Sequence, residues 1–251
     1  MPQAGRMAHP IFKPNPWHNK RIGITGARGA LGQALTACFR SLGGHVTGFT
    51  HSAPPPPDLE TGPHRWLQWQ CGDEDALLQE LRELDVLVLN HGINPQGVQT
   101  PDELTRSLEV NALSTWRLIQ LFERSTADRP KGQQREIWVN TSEAEIQPAI
   151  SPAYEISKRL LGQLVSIHGA VRSPEQRQRI RLRKLVLGPF RSTLNPIGIM
   201  TAAFVAKQIV WQAELGFGLI IVSPNPLTYL LMPISELGRR IYSTALNRPG
   251  P

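Results

Sequence analysis

The chain has 251 residues, with 27 Lys and Arg against 20 Asp and Glu, a formal net charge of +7. Hydrophobic residues make up 40% and charged residues 19%, which excludes a disordered chain and suits one domain with a full-sized core. The two cysteines, Cys38 and Cys71, exclude a disulfide framework and a zinc ribbon. No metal is expected, and the cysteine usage fits a reduced, cytoplasmic setting.

Residues 1–19 carry Pro2, Pro10, Pro14 and Pro16 with no apolar stretch and read as a flexible arm, not as a secretory signal. From there the pattern alternates. Strand-like apolar runs fall at Arg21–Thr25, His45–Thr50, Trp66–Cys71, Val86–Asn90, Glu136–Thr141, Ile180–Leu187 and Leu219–Ser223. Helical periodicity falls at Leu31–Leu42, Asp75–Glu83, Pro101–Glu123, Ala153–Val171 and Thr201–Leu215. Alternating strands and helices predict a single-domain α/β fold over residues 20–224, with a doubly wound, seven-stranded parallel sheet. The second crossover departs from this pattern. Pro54 to Pro57 are consecutive, remove amide donors and cannot form a helix interior, so a proline-rich loop replaces the expected helix.

The cluster Arg172, Arg177, Arg179, Arg181, Arg183, Lys184 and Arg191 is opposed only by Glu175. It reads chiefly as a solvated edge at a helix–strand junction. Without zinc-finger spacing or an aromatic RNA-binding motif, no nucleic-acid partner is expected. Residues 225–251 form an amphipathic segment in which Leu227, Leu230, Leu231, Ile234, Leu237 and Ile241 share one face beside Arg239 and Arg240. That face packs on its own domain or a partner subunit, or it docks on a membrane with its basic residues at anionic headgroups. The longest apolar run, near Leu215–Val222, is well short of the roughly 20 residues a spanning helix needs.

The chemistry begins at Thr25-Gly26-Ala27-Arg28-Gly29-Ala30-Leu31-Gly32, between the first strand and the first helix. Glycines there allow a tight turn and close approach of backbone to a pyrophosphate, and the helix-start amides face the phosphates. Gly26, Arg28, Gly29, Ala30, Leu31 and Gly32 are therefore candidate cofactor-binding positions. The end of the second strand holds Thr50, His51 and Ser52, with no carboxylate to accept from a ribose 2′-hydroxyl. Arg28 supplies a fixed positive charge suited to a 2′-phosphate. NADP(H) is expected over NAD(H).

Four further elements follow in order: Asn90-His91-Gly92, Asn111 in a long helix, Ser142 at a strand end, and Tyr154-Glu155-Ile156-Ser157-Lys158. With the glycine turn, these motifs resemble the short-chain dehydrogenase/reductase family over roughly Arg21 to Ser223, a resemblance that implies an NAD(P)-dependent oxidoreductase on a Rossmann fold. Tyr154 and Lys158 lie four apart, on one helical face. An ammonium beside a phenol favours the phenolate, so Lys158 is expected to lower the Tyr154 pKa. The resemblance implies that Tyr154 exchanges the proton, Lys158 holds the nicotinamide ribose, Ser142 bonds the substrate oxygen and Asn111 positions a water. It also implies adenine contacts at Gln70 or Cys71, and carboxamide or pyrophosphate contacts at Pro189, Phe190, Ser192 and Thr193. A homodimer or homotetramer through the Asn111 and Tyr154 helices is implied as well.

There are departures from the family pattern. The glycine spacing is that of extended members, which include epimerases, yet only 28 residues follow Ser223, too few for their larger C-terminal domain. His91 stands where the family has alanine, either as a packing residue or as a second titrating group. The expected activity is hydride transfer between nicotinamide and a carbonyl or secondary alcohol, with a lipophilic substrate in view. The alternatives are a non-catalytic NAD(P)-sensing protein and an epimerase or dehydratase of the extended type.

Overall fold

The computed structural model describes residues 15–56, 60–96, 100–126, 130 and 132–246. In chain order the elements are β1 (Arg21–Thr25), α1 (Ala30–Ser41), β2 (His45–Thr50), β3 (Arg65–Gln68), a 3₁₀ turn (Glu74–Leu77) and α2 (Leu78–Glu83). Then come β4 (Val86–Leu89), α3 (Pro101–Leu108), a π-helical turn (Glu109–Leu113), α4 (Ser114–Arg124), β5 (Arg135–Ser142) and a second 3₁₀ turn (Glu143–Glu145). The chain closes with α5 (Pro152–Val171), α6 (Pro174–Arg179), β6 (Ile180–Leu187), α7 (Ala202–Glu214), β7 (Leu219–Val222) and α8 (Pro226–Leu246).

The seven strands form one sheet in the order β3-β2-β1-β4-β5-β6-β7, and every neighbouring pair is parallel. This is the doubly wound arrangement, and its strand order reverses between β1 and β4. No helix appears among the described residues between β2 and β3, as the proline run requires.

The period-two alternation of strand side chains divides the core into two layers. Val86 and Val88 of β4 join Ile22, Ile24 and Trp138 under α1 and α7. Leu87 and Leu89 face the other way, with Ile137 and Val139, under α2, α4 and α5. Both faces of the sheet are covered, and β4, at its centre, is apolar throughout.

Three expectations change here. The arm does not extend to residue 19: Trp17 is 4% exposed, packs edge-on against Phe39 and Trp138, and its indole donates to Glu214 at 2.9 Å. Residues 1–14 of the predicted arm lie outside the described residues. The basic cluster is not simply a solvated edge. Arg172, Arg183 and Lys184 are buried, and Arg183 pairs with Glu136 through two hydrogen bonds of 2.7 and 2.8 Å. The predicted helix over Pro101–Glu123 is interrupted by the π-helical turn, where Asn111 sits.

α8 packs on α5 and β7, inserting Thr228 and Met232. Its apolar face, with Leu227, Leu230, Leu231, Ile234, Leu237 and Ile241, is exposed. No helix among the described residues is long and apolar enough to cross a membrane.

Candidate active site

The site lies at the carboxyl ends of β1, β4, β5 and β6, on the side of the sheet where parallel α/β folds place their ligands. Thr25 ends β1, and its hydroxyl accepts from the amides of Asn90 and His91 at 2.9 and 3.2 Å, which ties the glycine turn to the loop after β4. Gly26 takes φ +62°, and a side chain there would meet the His91 backbone at 2.9 Å. A side chain on Gly32 would overlap the Gly26 carbonyl and Ala27. Both glycines are thus required by position. Gly29 caps α1 without a side-chain acceptor, and the first turn carries no acid. The helix-start amides at Ala30, Leu31 and Gly32 are left without side-chain competition for an anion. These features fit the pyrophosphate of a dinucleotide.

At the end of β2, the Arg28 guanidinium donates to the Ser52 hydroxyl and to the Ala53 carbonyl at 3.4 Å. The Thr50 and Ser52 hydroxyls lie 3.4 Å apart. His51 is exposed beside them, and Gln70, beyond β3, is also exposed. Cys71 does not accompany Gln70. Burial pushes its thiol pKa up, it bonds with Ser114, and it packs against the core layer under α2, α4 and α5. Gln70 is the more exposed of the pair.

The β5 end and the start of α5 supply the reacting groups. Ser142 closes β5, and its hydroxyl accepts from the Ala144 amide at 3.2 Å, capping the 3₁₀ turn. The same hydroxyl bonds with the phenol of Tyr154. Lys158 is 4% exposed, and its Nζ donates to the Asn140 carbonyl at 3.0 Å. It stands 5.8 Å from the centre of the Tyr154 ring. The expected lowering of the Tyr154 pKa by Lys158 is not what this geometry produces. Burial pushes the phenol up, the Ser142 hydrogen bond opposes that, and the Glu143 carboxylate adds to the rise. Burial brings Lys158 down to about 8, partly offset by Glu145.

Asn111 is fully buried. Its Oδ1 accepts from the Ile93 amide at 2.7 Å, and its Nδ2 donates to the Ile93 carbonyl at 3.0 Å and to the Ser157 hydroxyl at 2.9 Å. Its amide is therefore committed to fastening the β4 loop to α5. Gly92 lies beneath it, where a Cβ would come within 2.9 Å of the Asn111 oxygen. His91 is the packing residue of its two readings. Its Nδ1 lies 2.8 Å from the Thr25 hydroxyl and its ring stands edge-on to Trp69. Burial first, then Lys158, lowers its pKa to about 4, so the ring is neutral.

After β6, Pro189 accepts from the amides of Ile199 and Met200 at 3.1 and 3.3 Å, and Phe190 packs against the layer under α1 and α7. Ser192 closes a tight turn with Asn195, and Thr193 is exposed. Gln96 donates to the Thr193 carbonyl and Asn94 to the Leu194 carbonyl, each at 3.2 Å. These bonds strap the β4 loop to the β6 loop. Sequence reasoning did not single out Asn94, Gln96, Glu143 or Glu145. Only the adjacency of Glu143 to Ser142 could have drawn attention to one of them.

No family model matches the chain. Monoglucosyldiacylglycerol epimerase of Synechocystis sp. (strain ATCC 27184 / PCC 6803 / Kazusa) is 41% identical over 226 residues, 89% of this chain and 54% of that protein. The chain thus spans about half the length of the curated relative it matches. A short chain dehydrogenase from Burkholderia cenocepacia J2315, in complex with NADP, superposes with a TM-score of 0.71 at 17% identity, covering 93% of this chain and 99% of that one. A short chain dehydrogenase from Leptospira borgpetersenii serovar Hardjo-bovis (strain JB197), with bound NAD+, gives 0.72 at 18% identity, covering 88% and 97%. The fold is that of the short-chain dehydrogenases. The expected Rossmann architecture with seven parallel strands is the one observed.

Proposed function

We propose that this chain is an NAD(P)-dependent enzyme of the short-chain dehydrogenase/reductase family, moving hydride between nicotinamide and the carbon of a secondary alcohol or carbonyl. The observation that carries the reading is the meeting of Ser142, Tyr154 and Lys158 at the carboxyl end of β5, beside a glycine turn in which Gly26 and Gly32 leave no room for side chains. When bound, a nicotinamide dinucleotide supplies or accepts the hydride. Gly26, Gly29 and the α1 amides would hold its phosphates, and Lys158 its nicotinamide ribose. Ser142 orients the substrate oxygen. Tyr154, kept protonated by burial, donates its proton to that oxygen on reduction and recovers it on oxidation.

Arg28 at the end of β2, with no carboxylate among Thr50, His51 and Ser52, supports NADP(H) as the preferred cofactor. Identity of 41% to a monoglucosyldiacylglycerol epimerase favours a second reading of the same centre. In it, one carbon of a glycosylated lipid is oxidised and then reduced from its other face, with no net change in the cofactor. The exposed apolar face of α8, with Arg240 beside it, supports a lipophilic substrate met at a membrane surface. Leu113, Ile156 and Ile167, exposed on the Asn111 and Tyr154 helices, support self-association through them.

The test incubates the purified chain with NADPH and a panel of ketones and, in a separate arm, with NADP+ and a glucosyl diacylglycerol. The nicotinamide absorbance band and the sugar configuration are both followed. Loss of absorbance identifies a reductase. An inverted sugar at constant absorbance identifies an epimerase. Tight NADPH binding with neither outcome leaves the sensing role, and no binding overturns the proposal.

A further inference from the structure

At the amino ends of β6 and β7, the end of the sheet opposite the active site, lies a cavity of about 350 Å³. Its size falls within the range of small-molecule sites, about 300–1,000 Å³, and the proposed reaction does not use it. Cations reach its wall from separate elements: Arg172 follows α5, Arg177 belongs to α6, Lys184 to β6 and Arg240 to α8. Glu236 of α8 is the one acid among the described residues that line it. These charges are unevenly answered. Lys184 donates to Glu145 at 2.6 Å and to Glu236 at 2.8 Å, so Lys184 and Glu236 are committed to one another. Arg172 is 6% exposed and donates to the Gln176 and Ile180 carbonyls at 2.8 and 2.6 Å. Its Nε has no hydrogen-bond partner, and Glu123 stands 3.5 Å away. Arg177 donates to the Ala170 carbonyl at 3.0 Å and meets no carboxylate among the described residues. Burial lowers the Arg172 pKa, Glu123 opposes this, and the Arg177 charge adds to it. An anion in the cavity relieves that repulsion.

The helix α8 indicates which anion. Thr228, Met232, Glu236 and Arg240 recur every fourth residue and share one face. Thr228 and Met232 are buried, whereas Glu236 and Arg240, further along the same row, line the cavity. The flanking row of Leu230, Ile234, Leu237 and Ile241 is apolar and exposed. Thr228 accepts from Gln147 at 2.8 Å and donates to Glu143, beside Ser142, at 3.2 Å. The helix therefore runs from the active-site end of the sheet to the cavity, about 30 Å over its 21 residues. A helix lying in a bilayer surface keeps its apolar row among acyl chains and its charged row at headgroup level. We propose that the cavity binds a phosphate group, supplied by the headgroup of an anionic phospholipid, with Arg177 and Arg240 as its contacts. The lipid source rests on the reading of α8 as a membrane-facing helix. A headgroup held at the far end of α8 lays the helix along the surface and brings its active-site end to the bilayer.

The test uses the full chain with NADPH present, so that the glycine turn is filled. Vesicles of phosphatidylcholine alone, with phosphatidylglycerol, or with oleate (an anion without phosphate) are co-sedimented with wild type, Arg177→Ala, Arg240→Ala and Arg239→Ala. Arg239 neighbours Arg240 but lies outside the cavity, bonded to Gln163, so its loss reports charge alone. Binding to phosphatidylglycerol vesicles is expected to weaken at least about 10-fold in Arg177→Ala and Arg240→Ala, as for a lost hydrogen bond to a charged group. In Arg239→Ala it should weaken about 5-fold or less. Either cavity variant carries the test if the other does not fold. Equal losses in all three variants, or wild-type binding to oleate vesicles as tight as to phosphatidylglycerol, overturn the proposal. A separate arm titrates inorganic phosphate by ³¹P NMR. Phosphate binding that Arg177→Ala and Arg240→Ala abolish, with vesicle binding unmoved, keeps the site and overturns its lipid source. Failure to bind NADPH overturns the cofactor reading and leaves both arms readable, since neither needs turnover.

Discussion

Lys158 donates its hydrogen bond to the Asn140 carbonyl at 3.0 Å, across the α5–β5 contact. This bond places the ammonium at the β5 end at a fixed height, 5.8 Å from the Tyr154 ring centre. The phenol and the ammonium are therefore separately held: Tyr154 by burial and Ser142, Lys158 by Asn140.

A neutral Tyr154 is suited to donating a proton. Tyr154→Phe is expected to lower turnover by about 10²–10⁴-fold while the NADPH dissociation constant changes little, as read by nicotinamide absorbance and fluorescence titration. Reductive turnover is expected to fall as pH rises past about 8, where Lys158 loses its proton. A Phe variant with full activity would remove Tyr154 from its role.

Arg28 donates to the Ser52 hydroxyl, and Thr50, His51 and Ser52 bring no carboxylate to the end of β2. Arg28→Ala is expected to cost roughly 1.5–3 kcal/mol of NADPH affinity, the range for a hydrogen bond to a charged group, or about 10- to 150-fold. NADH binding should scarcely change. Equal losses for both dinucleotides would place the 2′-phosphate elsewhere.

Asn111 makes three buried hydrogen bonds. Asn111→Leu leaves the Ile93 amide and carbonyl unpaired, at about 1–3 kcal/mol for each group that water cannot reach. Urea unfolding should show a lower midpoint with an unchanged slope, and NADPH binding should weaken as the Gly92–Ile93 segment loosens.

His91 is neutral, with its pKa lowered to about 4 from an ordinary 6.5. A depressed histidine favours the folded chain fully above pH 6.5, and that advantage is lost as pH falls toward 4. Folding stability should drop over this window by up to about 3 kcal/mol. His91→Gln should show a shallower loss over the same range in denaturant titrations. A wild-type curve parallel to that of the variant would contradict a buried, neutral ring.

The exposed face of α8 predicts association with vesicles containing anionic lipid, strongest at low salt and weakened, but not abolished, at high salt. Leu230→Asp with Ile234→Asp should release the protein while leaving NADPH binding intact. No co-sedimentation of the wild-type chain at either salt would remove the membrane role.

Much of the fold was legible because it rests on local periodicity. β1, β2 and β6 have the predicted bounds, and Gly26 after β1, Gly44 before β2 and Gly188 after β6 mark an end of each. The proline run between β2 and β3 announced its own lack of helix. The burial of Trp17 was not legible, since nothing in a proline-rich arm signals that one indole reaches Phe39 and Trp138. Nor was the π-helical turn at Asn111, which a continuous amphipathic pattern conceals.

The order of strands and helices, the glycine turn and the Tyr154–Lys158 spacing followed from the chain alone, because each depends on neighbours a few residues apart. The pKa of Tyr154, the commitment of Asn111 to Ile93 and the pairing of Glu145 with Lys184 were decided only in three dimensions. Those properties are set by which distant charges and carbonyls share a water-free space. That proximity comes from strands pairing across the sheet, as when β5 aligns with β6, and no spacing along the chain encodes it.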